Sequence, residues 1–135
     1  MLNLNEILSY FPRRIANEIN KKMLQDKNQE SINLLEEIRV RASKPVILKY
    51  TNLEQVLDNL IVTQEEVLEI LQHICNNSIY SYQNQICNGY ITLKGGHRVG
   101  ITGSVVMTDE KITNINYIAS LNFRISKQII GASNR

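Results

Sequence analysis

Gly89-Tyr90-Ile91-Thr92-Leu93-Lys94-Gly95-Gly96-His97-Arg98-Val99-Gly100-Ile101-Thr102-Gly103 is the stretch whose reading decides the fold. Gly95 and Gly100 have the separation found in a phosphate-binding loop, and Thr102 stands where that loop places its magnesium-binding hydroxyl. Such a loop needs a lysine before that hydroxyl to reach the phosphates, and the residue there is Ile101. It also joins a strand to a helix, whereas both flanks here read as strand. Gly100-Ile101-Thr102-Gly103 matches the Gly-x-x-Gly of KH RNA-binding domains, but that motif must link two helices and clamp a sugar–phosphate backbone. Here Val99 and Ile101 alternate with Arg98 and Thr102, which is the period of a half-buried strand. The glycines are therefore read as turn, bulge or close-approach positions. Gly95-Gly96 supplies a hairpin turn able to use positive φ, between a strand over 90–93 and one over 97–107, with Val105 inward and Ser104 outward.

Downstream, Asp109-Glu110-Lys111 reverses the chain. A strand over Ala119 to Ile125 buries Leu121, Phe123 and Ile125 and exposes Ser120, Asn122 and Arg124. A helix is expected from Ser126, barely begun at Arg135.

Upstream, Thr63-Gln64-Glu65-Glu66 has the spacing of a capping box, and Val67, Leu68, Ile70, Leu71 and Ile74 form a wide helical face behind it. Asn76-Asn77-Ser78 breaks that helix and caps another carrying Ile79, Tyr82 and Ile86, which Gly89 closes. Leu34 to Ala42 alternates, with Ile38 and Val40 against Glu37, Arg39 and Arg41; Lys44-Pro45 turns, and Val46 to Tyr50 is a second strand. Residues 51–62 fit either a helix or a hairpin return, and the strand reading is preferred. The first thirty residues carry Leu4, Ile7, Leu8 and Phe11, then Pro12, then Ile15, Ile19 and Met23, which predicts two short helices and a polar end over 25–30. These residues read as a helical appendage (1–30) to an α+β unit (31–135). Helices gathered early and mid-chain with antiparallel hairpins elsewhere make this an α+β fold rather than an alternating parallel one.

Composition excludes more than it assigns. The 135 residues include 43% hydrophobic side chains, no tryptophan and two phenylalanines, so isoleucine, leucine and valine must fill the core. Nothing approaches the ~18 consecutive apolar residues of a spanning helix, and no secretory leader is visible at the start. A cytoplasmic chain is expected. A net charge of +2 with mixed signs gives no basic stripe, and Arg13-Arg14 and Lys21-Lys22 read as solvated helix faces, so no nucleic-acid partner is expected. Cys75 and Cys87 lack metal-ligand spacing, with His73 and His97 the sole histidines; no metal site and no disulfide are expected, and Cys75 reads as a small core residue. His97 has no cysteine or carboxylate tied to it by a motif, so no catalytic residue is assigned.

Several blocks, in order, resemble the stage III sporulation protein AA family of endospore-forming bacteria. They are Ile7 to Ile15, Glu36 to Arg41 with Lys44-Pro45, Val62 to Glu65, Ser78 to Tyr82, Gly89 to Gly103, and Ala119 to Ile125 leading to Ile130-Gly131. That family is similar to the hexameric ATPases of type II secretion and type IV pili, in which a PAS-like α+β domain precedes a RecA-like ATPase domain. The resemblance implies a PAS-like antiparallel sheet with helices on one side. It also implies a parent protein that uses ATP and magnesium, in a hexamer, to power or assemble the mother-cell-to-forespore channel. That parent would work with sister stage III sporulation membrane proteins, peripheral at the outer forespore membrane on the mother-cell side. The Walker motifs are missing from this chain, so it is not expected to be an enzyme or to hold a cofactor itself. The resemblance implies that Arg98 and Arg124, with Arg39 and Arg41 behind them, contact nucleotide at a subunit interface. A nucleic-acid-binding accessory domain and a PAS-type ligand sensor with an internal apolar pocket remain as alternatives.

Overall fold

The opening apolar residues form two helices, as their spacing predicts. In the computed structural model, which describes residues 4–25, 35–109 and 111–126, α1 is Leu4–Leu8 and α2 is Arg13–Gln25. Pro12 separates them, and its carbonyl accepts from the Ala16 amide at 2.9 Å. A proline loses nothing there, because amides at a helix start have no intrahelical acceptor.

β1 (Leu35–Arg41), β2 (Pro45–Tyr50) and β3 (Glu54–Ile61) follow as an antiparallel meander. The ambiguous residues are thus strand. Their helix-like spacing has a cause: pairing slips from Val46–Leu57 to Pro45–Ile61, and this bulge turns Leu57 and Leu60, three residues apart, into the same interior. α3 (Gln64–Ile74) starts at the expected capping box, with Glu66 N–H donating to Thr63 Oγ1 (3.0 Å) and Thr63 N–H to Glu66 Oε1 (2.9 Å). The next expected helix is split. Asn76 and Asn77 take left-handed φ, a 3₁₀ turn occupies Ile79–Tyr82, and α4 (Gln83–Asn88) ends at Gly89 with φ 91°.

β4 (Tyr90–Thr92), β5 (Arg98–Thr108) and β6 (Lys111–Arg124) complete the sheet. β6 begins eight residues before the expected Ala119. The β5–β6 ladder slips at Thr102/Gly103, Ser104/Val105 and Val106/Met107. Each slip resets the period-two alternation by which a strand is recognised. The polar stretch after Gln25 and the helix expected past Ser126 lie outside the described residues.

The six strands are ordered β3-β2-β1-β6-β5-β4, with each neighbouring pair antiparallel. The α+β expectation holds. One face carries Ile38, Leu48, Ile91, Val99, Leu121 and Phe123 into the core. Phe11 packs there with its ring 4.8 Å from that of Phe123, and Tyr50 Oη donates to Met23 Sδ at 3.0 Å. This corrects the reading of residues 1–30 as an appendage: the buried residues of α1 and α2 belong to the same hydrophobic cluster as the sheet. The reason is areal, since a twisted sheet with one apolar face needs more cover than α3 and α4 supply. Arg14 is also more than a solvated residue. Its guanidinium reaches Glu66 Oε1 (2.6 Å) and Oε2 (3.1 Å) and the Ile61 carbonyl (2.7 Å), tying α2 to the start of α3.

Candidate functional site

The face of the sheet opposite the core carries the candidate arginines, and the register sets them in rows. In the first row, Glu37, Arg124, Arg98 and Thr92 are consecutive neighbours across β1, β6, β5 and β4. The second row is Arg39, Asn122, Gly100 and Tyr90; the third is Arg41, Ser120 and Thr102. Alternation explains why all four arginines share this face, because each sits one residue from a core position such as Ile38, Val40, Val99 or Phe123.

The four are not equivalent. Arg39 is neutralised by Glu37 and Glu54, both at 3.3 Å. No carboxylate among the described residues lies within ion-pair distance of Arg41, Arg98 or Arg124. Arg98 lies over the Tyr90 ring, 5.3 Å from its centre, which holds the guanidinium by cation–π attraction without cancelling its charge. Arg124 extends over Gly100: a Cβ on that glycine would sit 3.3 Å from Nη2.

Between the rows lies an open trough of about 240 Å³, lined among others by Arg39, Arg41, Arg124, Gly100, Thr102 and Asn122. Thr102 Oγ1 and Ser120 Oγ share a hydrogen bond of 2.6 Å at its edge. Asn122 Oδ1 is buried and has no hydrogen-bond partner. A buried acceptor without a donor costs about 1–3 kcal/mol, so the trough floor carries an unmet demand for a donor. The lining residues include no histidine, cysteine or carboxylate. Chemically the trough supplies fixed positive charge and hydrogen-bond donors to an anion, with no group placed to transfer a proton.

The family described as "Sporulation stage III, protein AA" fits residues 7–135. The chain belongs to that family. Stage III sporulation protein AA of Bacillus subtilis (strain 168) is 31% identical over 128 residues, covering 95% of this chain and 40% of that protein. The chain therefore spans about two-fifths of this curated relative. Among solved structures, the X-ray structure of the Legionella pneumophila ATPase DotB is similar at 10% identity, covering 87% of this chain and 31% of that one, with a TM-score of 0.43. That likeness is too loose to bear on the site.

Within this member of the stage III sporulation protein AA family, sequence reasoning found the four arginines and their common outward direction. It missed Gly100 as the position that lets Arg124 lie flat, Tyr90 as the support of Arg98, and Asn122 as the trough floor. Alternation in the sequence puts Asn122 on the outward face, but its register between Arg39 and Gly100 is set by strand pairing alone. The rejected candidates sit elsewhere. Cys75 is in the core, where burial pushes its thiol up to about 11, and Cys87 is exposed; the two are not joined in a disulfide. His73 Nδ1 donates to the Tyr10 carbonyl at 2.9 Å. Among the described residues no cluster of three or more His, Cys, Asp or Glu is arranged to hold a metal ion, and no helix is long and apolar enough to cross a membrane. Gly100 and Gly103 lie inside β5 rather than in a loop between helices.

Proposed function

We propose that this chain is a non-catalytic helper domain of a sporulation ATPase, whose nucleotide-binding core lies elsewhere in a longer polypeptide, and that its arginine face meets ATP held at a subunit interface. One observation carries the reading: among the described residues, Arg41, Arg98 and Arg124 have no carboxylate partner on one exposed sheet face. Bringing three uncompensated guanidiniums onto one surface costs free energy unless an anion answers them. A phosphoryl group passing through its transition state is such an anion, and arginine stabilises the charge spread over its oxygens. The span of the curated relative beyond this chain leaves room for the ATPase core, with its own magnesium site.

In this reading the fold is PAS-like, the parent assembles as a hexameric ring, and each helper domain packs against its own RecA-like domain and a neighbouring subunit. The ring works in the mother-cell cytoplasm, at the outer forespore membrane, on the channel built from the sister stage III sporulation proteins. The test is arginine footprinting of the full-length protein with a dicarbonyl reagent, read by mass spectrometry. A non-hydrolysable ATP analogue is expected to slow modification of Arg98 and Arg124; equal rates with and without it would contradict the proposal.

A ligand-sensing module is favoured by one observation, the unpartnered Asn122 Oδ1 in the trough floor. It predicts that a small ligand carrying a hydrogen-bond donor saturates the isolated chain and that Asn122→Leu abolishes the binding, with no dependence on the ATPase core.

A further inference from the structure

The turn between β4 and β5 carries the one buried polar side chain among the described residues, His97, which is 8% exposed. Its Nδ1 accepts a hydrogen bond from the Ser126 backbone amide at 2.9 Å. A backbone N–H only donates, so Nδ1 bears no proton, and the ring is the neutral tautomer with hydrogen on Nε2. The turn is built to present it. Gly96 N–H donates to the Leu93 carbonyl (3.1 Å) and Leu93 N–H to the His97 carbonyl (2.6 Å). Gly95 and Gly96 hold φ of 91° and 85°, a region that favours glycine. Space is tight at the first of them: a Cβ on Gly95 would come 3.2 Å from His97 Nε2, whereas one on Gly96 would make ordinary contact, 3.6 Å from Ser126 Oγ. Ser126 is the residue at which the chain leaves the sheet, one past the last ladder-like bond, Ile125 N–H to the Glu36 carbonyl at 2.8 Å.

We propose that Gly95-Gly96-His97 is a proton-operated latch, in which neutral His97 holds the backbone at Ser126 and protonated His97 releases it. Protonation places a hydrogen on Nδ1, so two donors face each other and the Ser126 amide loses its acceptor. The groups facing the ring are Glu6 and Tyr10 from the α1 side and Lys94 from the turn itself, around a cavity of about 190 Å³. Glu6 favours the charged ring, but burial outweighs it and holds His97 below its ordinary 6.5. For a base depressed on folding, the contribution is complete above the ordinary value and is lost as pH falls through the folded one. The latch is closed at neutral pH and opens on acidification, freeing the backbone at Ser126. The inference uses no nucleotide and stands apart from the ATPase reading.

The test is amide hydrogen exchange at Ser126 by ¹⁵N NMR on the 135-residue chain, expressed as protection relative to the unstructured rate. The protection is expected to fall about fivefold between about pH 8 and about pH 5, as expected for loss of one hydrogen bond worth ~1 kcal/mol, with a midpoint below 6.5. His97→Asn places an untitratable oxygen where Nδ1 stands, and should keep Ser126 protected at both values. His97→Ala should leave it unprotected at both. Protection in the wild type that ignores the His97 titration overturns the latch, and so does a His97→Asn chain that loses protection on acidification as the wild type does.

Discussion

Arg98 and Arg124 stand directly opposite each other in the β5–β6 ladder, with no carboxylate of the described residues in ion-pair reach of either. Like charges in that position oppose strand pairing, by about 0.2–1 kcal/mol. The two side chains part company: Arg98 goes to the face of Tyr90, and Arg124 lies over Gly100. The geometry keeps both charges available: Arg124 lines the trough, and Arg98 is its cross-strand neighbour.

Two glycines of β5 then predict opposite outcomes. A Cβ at Gly100 meets only the flexible end of Arg124, so Gly100→Ala should move the guanidinium and change stability by no more than about 0.5 kcal/mol. A Cβ at Gly103 would collide with the Tyr117 carbonyl oxygen and stand 2.8 Å from Ile118 Cα, which are backbone atoms. Gly103→Ala should cost about 1–3 kcal/mol. Urea unfolding of the two variants measures the difference, and equal midpoints would refute it.

The Arg14–Glu66 clamp predicts a pH dependence of known sign. The Arg14 guanidinium beside Glu66 holds its carboxyl below the usual 4.5, burial opposes, and the Thr63 amide adds to the lowering. A carboxyl depressed on folding stabilises above its unfolded value, and that contribution disappears as pH falls through the folded one. Glu66→Gln keeps an oxygen for the capping box but loses the charge facing Arg14, so it should be less stable than wild type at neutral pH by up to about 1 kcal/mol. The gap should narrow below pH 4.5 and close as pH falls through the lowered value. Thermal melts of both chains from neutral to acid pH give the comparison; a gap independent of pH would count against the clamp.

The opening helices are predicted to be indispensable to folding. Phe11 and Phe123 are both buried with rings in contact, so Phe11→Ala should cost about 3–5 kcal/mol. A chain starting at residue 31 should lack a cooperative transition, because Ile15, Ile19 and Met23 would no longer cover the sheet. A cooperative melt of that truncated chain would restore the view of residues 1–30 as an appendage.

What was legible in the sequence followed from local chemistry. Thr63 and Glu66 announce a capping box whatever surrounds them, Gly89 and Gly95-Gly96 mark positive φ, and Ile38, Val40 and Phe123 alternate cleanly because one face of their strands is buried. What was not legible depended on partners. β6 reaches back to Lys111 through a bulged ladder that erases alternation, and the helix expected after Ser78 divides into a 3₁₀ turn at Ile79–Tyr82 and α4. The resemblance singles out the four arginines and alternation gives their direction; that Arg39 is paired, while the others have no carboxylate in reach among the described residues, depends on where Glu37 and Glu54 fall across the strands.

The central claim is that Arg98 and Arg124 act on ATP bound by another part of the parent protein. The most direct measurement is steady-state ATP turnover by the full-length protein carrying Arg98→Ala, Arg124→Ala or both, with melting of each variant recorded alongside. The account predicts a fall of about tenfold or more at unchanged melting temperature, since an arginine at a phosphoryl transition state contributes up to about 10³–10⁵ in rate. Wild-type turnover in the double variant would contradict it.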